Sequence, residues 1–224
     1  FTSSKDAVVF EAVSDGDEKL AEQATTYINH IFYKDNNGFE IMHDWFKDAL
    51  LQKVGVVKAY WDDNVEVTTE KYVQLDDNEL AMIADENVPP EEFLISKRAR
   101  TILDSDFVAH RKMVTRSELV AMGYDEDVVY ALSTGDALEF SPERIARYSR
   151  GEMPDDNDNM DPSMQLVEYF ECYIKTDIDD DGIAELRRVC YASNEILMEE
   201  ECNYVPFHSL CPIPIPHKFF GQSL

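Results

Sequence analysis

Positive charge is what this sequence has least of. Lys and Arg together number 20 against 46 Asp and Glu, a formal net charge of −26. A protein that grips duplex DNA needs a basic face to release counterions from the phosphates, and the chain as a whole offers none. Long apolar runs are also missing. None approaches the roughly 20 residues that cross a bilayer, so no membrane role is expected. Cysteine is scarce: Cys172, Cys190, Cys202 and Cys211, with no CxxC pair. A chain of 224 residues does not need disulfide staples. The thiols are expected to be reduced and mostly buried. Cys172 and Cys190 fall on strands expected to pair, which leaves a disulfide between them open. The five histidines, at 30, 43, 110, 208 and 217, lack HExxH-type spacing. GxSxG, Walker A and GxGxxG motifs are absent as well, so nothing marks a serine hydrolase, an ATP motor or a dinucleotide enzyme. The first residue is Phe1 rather than Met, as expected of a fragment or a processed chain.

What is present is enough apolar material for a core. Hydrophobic residues make up 44% of the chain and aromatics 11%, more than a disordered chain carries. Residues 17–34 predict a helix with Leu20, Ala24, Tyr27, Ile28, Ile31 and Phe32 on one stripe, and 39–53 a second helix. A strand is expected at 54–61, a turn at 62–64, a return strand at 65–73 and a short helix at 75–86. Strands follow at 92–95 and 107–113. Thr115 and Glu118 form a capping box for a short helix stopped by Gly123, and Ser141, Pro142 and Gly151 bracket another. Residues 154–162, PDDNDNMDP, read as an acidic linker. Beyond it, two strands flank an aspartate loop and a third covers 194–200. The prolines of CPIPIPHKFFGQSL predict an extended arm over 212–224. The fold class is therefore α+β. A helical, mixed part spans 1–153, a linker 154–162, a β-hairpin or meander 163–211, and the arm follows.

The loop TDIDDDGIAEL carries the sharpest chemical signal. Asp177, Asp179 and Asp181 alternate before Gly182, as in a calcium loop, with the Ile183 carbonyl and Glu185 as further donors. The twelfth position, where an EF-hand places a bidentate Glu, is Arg188, and the flanks predict strands instead of helices. An EF-hand is thus rejected. A calcium-loaded hairpin and a plain acidic turn both remain, because Asp and Gly are turn residues in any case. A catalytic carboxylate cluster ranks last, since no spacing selects further ligands.

One stretch is basic: Lys97, Arg98, Arg100, His110, Arg111, Lys112 and Arg116. Asp104 and Asp106 interrupt it. In so acidic a chain, ion pairing within the chain or across a subunit interface is commoner than a nucleic-acid patch, and the intersubunit role is favoured.

Several stretches occur in a familiar order: NNGFEIMHDWFKDALLQKVGVVKAYWDD, NVPPEEFLISKRARTILDSDFVAHRKMVTRSELVAMGYDEDVV, DIDDDGIAELRRVCYA and PIPIPHKFFGQSL. Together they resemble the portal, or head-to-tail connector, proteins of short-tailed double-stranded DNA phages and prophages. The resemblance implies a non-enzymatic ring of about twelve identical subunits, closed by cyclic symmetry, at one capsid vertex. Its partners would be the terminase, scaffolding and capsid proteins and the tail. Double-stranded DNA would pass through without sequence-specific binding. The place implied is the virion, after assembly in the bacterial cytoplasm. This chain resembles the wing-like region that precedes the stem, with residues 212–224 leading toward a stem helix. The resemblance also implies a β-rich insertion between Glu86 and Asn87, which here are adjacent.

Overall fold

The computed structural model describes residues 6–14, 16–62, 82–133 and 161–224. Helix α1 (Glu18–His30) runs into a π-helical turn, Ile31–Asp35, before α2 (Gly38–Gln52). The predicted stripe of α1 is only partly used. Ile31 is buried, but Leu20 and Tyr27 are 67% and 66% exposed. Residues 7–10 lie along this helix. The Ala7 and Val8 N–H groups donate to Asn29 Oδ1 at 2.7 and 3.2 Å, and Asn29 Nδ2 donates to the Val8 carbonyl at 2.7 Å.

Helix α2 packs on β1 (Gly55–Asp62) at very close range. A Cβ on Gly55 would lie 2.3 Å from the Trp45 carbonyl oxygen, so only glycine permits this approach. β1 pairs antiparallel with β2 (Met82–Val88) on one side and β8 (Phe207–Leu210) on the other, giving the order β2-β1-β8. β2 corrects the sequence reading. Its residues end the segment expected as a helix at 75–86, and their helix-favouring Met, Ala and Glu yield to the free edge of β1. The turn at 62–64 beyond Asp62, the strand at 65–73, the start of that helix, the helix at 141–151 and the linker up to residue 160 lie outside the described residues.

The second sheet has the order β3-β4-β5-β6-β7, antiparallel throughout. Its strands are β3 (Phe93–Ile95), β4 (Phe107–Thr115), β5 (Leu166–Thr176), β6 (Glu185–Ala192) and β7 (Glu195–Glu201). β4 passes directly into α3 (Arg116–Ala121). Thr115 accepts from the Glu118 N–H while Glu118 accepts from the Thr115 N–H, the capping box in full. Gly123, at φ +94°, ends that turn, and α4 (Glu126–Ala131) follows under an Asp125 cap.

One face of the five-stranded sheet holds two cores. At one end Val108 and Tyr173 meet Val56 and Phe207 of the smaller sheet and Val54 just before it, with Phe93 and Phe219. At the other end Val114, Val167 and Tyr169 meet Leu119, Val129 and Leu132 of the α3–α4 region. Phe219, from the predicted arm, stacks on Phe93 with ring centroids 5.8 Å apart, so the arm is folded onto the body at this point. Strands from either side of residues 154–162 pair within both sheets. The chain is α+β, with helices early and sheet late.

Candidate functional site

Between the two cores sits a charged cluster that the sequence did not disclose. Along β5, Val167, Tyr169 and Tyr173 point inward at alternate positions, and Glu171 occupies the same row. Lys58, on β1 of the other sheet, meets it. Their Nζ and Oε2 atoms are 2.5 Å apart, with side chains only 7% and 4% exposed. Arg188 on β6 reaches Glu171 Oε1 at 2.9 Å and Glu200 Oε1 at 3.0 Å. The Tyr173 hydroxyl donates to Glu171 Oε1 at 2.8 Å, and the Lys58 ammonium lies 4.4 Å from the centre of the Tyr60 ring. Burial alone would raise the Glu171 carboxyl. The Lys58 ammonium, helped by Arg188 and the Tyr173 hydroxyl, outweighs that and holds it at about 2. Burial and the adjacent carboxylate push the Tyr173 hydroxyl well above its ordinary range. With Cys202, Tyr204 and Pro206 these side chains line a cleft of about 180 Å³. Every charge in the cleft has an opposite partner, so it works as a bolt between sheets. Arg188, which disqualified the aspartate loop as an EF-hand, is turned toward this bolt.

The aspartate loop joins β5 to β6, as expected. Asp177 Oδ2 accepts from the Gly182 N–H at 2.8 Å, Asp179 Oδ1 from the Asp181 N–H at 3.2 Å, and Asp181 Oδ1 from the Ile183 N–H at 2.7 Å. Asp180 and Gly182 adopt positive φ, 60° and 88°, which tightens the turn. Asp177, Asp179, Asp181 and Glu185 each bring an oxygen within 4.8 Å of the others. Two oxygens on opposite sides of a calcium ion are about 4.8 Å apart, so this spread fits one cation. Glu185 Oε2 is buried without a hydrogen-bond partner, while the Ile183 side chain is exposed.

The basic segment divides. Arg116 is buried and donates to Gln165 Oε1 at 2.6 Å and the Leu132 carbonyl at 2.8 Å, which makes it a structural residue of the α3 corner. Arg111 faces Glu168 at 3.8 Å, and Lys112 faces Glu86 at 3.9 Å. His110 is buried beside Glu92, 3.4 Å away. Lys97, Arg98 and Arg100 are exposed on the turn after β3. All four cysteines are free. Cys172 lies opposite Val189 rather than Cys190, and burial pushes its thiol up to about 11. No helix among the described residues is long and apolar enough to cross a membrane.

Two sheets are thus locked together by a buried ion cluster, with an acidic loop at the β5–β6 turn. The profile of the phage SU10 portal protein family matches residues 1–87 and 82–224, and the chain belongs to that family as a phage portal protein. The two matched segments meet at 82–87, where the sequence resemblance placed an insertion absent here. No curated protein matches the chain.

Proposed function

We propose that this chain forms the wing-like region of a portal subunit. In this reading identical subunits close a ring, about twelve in number, at one vertex of the capsid. Double-stranded DNA enters through the ring during packaging and leaves through it during ejection. The terminase, scaffolding and capsid proteins and the tail dock on it, and the subunit itself catalyses nothing. The observation that carries the proposal is the family match along essentially the whole chain. Charge supports it: a conduit should not hold its cargo, and −26 per subunit discourages lasting phosphate contacts. The test is to label purified virions with an antibody against this chain. Label at one vertex per particle is expected. Label spread over the capsid, or none on intact particles, contradicts the proposal.

Within this role the aspartate loop is a fastener. We propose that Asp177, Asp179, Asp181 and Glu185 hold one calcium ion that stiffens the β5–β6 turn. The converging oxygens and the unpartnered Glu185 Oε2 support it. A second reading, a calcium-binding interaction module built on the Asp177–Gly182 loop, gains nothing from the comparisons.

A further inference from the structure

The two edges of the five-stranded sheet carry opposite charge. β3 is one edge and β7 the other. The turn after β3 exposes Lys97, Arg98 and Arg100, and residues 97–101 contain no acid. Asp104 and Asp106 are exposed beside it, but the Asp104 carboxylate is engaged locally, accepting from the Arg100 and Thr101 N–H groups at 3.0 and 2.8 Å, so the three cations keep the turn net positive. At the far edge, Glu195, Glu199 and Glu201 of β7 are exposed, while Glu200 is engaged by Arg188. Strands lie about 4.8 Å apart, so four spacings put the two edges about 19 Å from each other. Each patch also exposes a large apolar side chain, Leu103 at 84% beside the basic turn and Ile196 at 64% on β7. Among the described residues, the outer backbone groups of β7 pair with no further strand.

Two complementary patches on opposite sides of one subunit make a heterologous contact. Such a contact repeats in one direction and builds a ring where the rotation between neighbours closes; a two-fold contact would instead set like charge on like. We propose that the basic turn after β3 of one subunit docks on the acidic β7 edge of the next, with Leu103 and Ile196 at the contact. This docking rests on the ring reading above and assigns the two surfaces that close the ring.

Charge reversal tests it in the full-length protein. K97E/R98E/R100E presents two acidic edges, and E195K/E199K/E201K presents two basic ones. Both variants should stay folded, because the altered side chains are exposed, and their melts are compared at about 0.15 M salt, where the changed net charge is largely screened. Each alone should lose at least about tenfold in the fraction assembled into rings, read by sedimentation velocity and negative-stain microscopy. An equimolar mixture should restore rings, since acidic and basic subunits then alternate. Parent-level ring yield from either variant alone overturns the docking and leaves the ring reading intact. Failure of the mixture to restore assembly, with both variants folded, overturns it too. Absence of rings from the unaltered protein overturns the ring reading and the docking with it.

Discussion

Removing the carboxylate of Glu171 leaves the Lys58 ammonium buried without a counter-charge. Breaking one partner of a buried ion pair costs about 3–5 kcal/mol, so E171Q should lower the unfolding free energy by that order in urea titrations. Replacing both partners, as in K58M/E171M, should cost less than E171Q alone, because no unpaired charge remains. The sign of the pH effect follows from the depressed carboxyl. Its folded value near 2 lies below the ordinary 4.5. Its contribution is therefore complete above pH about 4.5 and disappears as pH falls toward 2. Acid titration of thermal stability should show this loss in the parent, and a flatter curve over the same window in E171Q. Nothing in the sequence flagged this cluster. The available signal was a single acid in the inward row of an otherwise apolar strand. A lone strand does not reveal that Lys58, 113 residues away, will meet it.

At the scale of elements, local chemistry was legible where it acted alone. Thr115 and Glu118 specify a helix start in four residues, and the fold contains it. T115A should cost about 1 kcal/mol by removing the cap. Gly55 is a different kind of constraint, visible only once α2 lies on β1. G55A should force the helix and strand apart, and overpacking of this kind costs on the order of 2 kcal/mol. β2 and β8 were not legible, for related reasons. Met82–Val88 has helix-forming composition and becomes a strand because β1 offers it a ladder. β8 is four residues between Pro206 and Pro212, too short for alternation to show, and it sits at a sheet edge where neighbouring prolines are tolerated. The aspartate loop gives a cleaner test. Calcium at about a hundred times its Kd should raise stability by about 2.7 kcal/mol, and D179N/D181N should remove most of that gain. A melt unchanged between calcium and chelator would leave the loop an acidic turn.

The whole molecule carries a net charge of −26, and self-repulsion in so acidic a body weakens the compact state. Raising ionic strength from about 0.01 M to 0.15 M shortens the screening length from about 30 Å to 8 Å, so the melting temperature should rise over that range. The arrangement of two sheets stitched by strands from both halves of the chain depends on pairings more than a hundred residues apart, such as Lys58 with Phe207. No local pattern encodes such a pairing, whereas family membership was legible because it draws on several separated segments in order. Ring assembly is the property on which the proposed role of the whole molecule depends. Negative-stain microscopy of the full-length protein tests it most directly. Closed rings of about twelve copies with cyclic symmetry are expected; monomers at every concentration would contradict ring assembly.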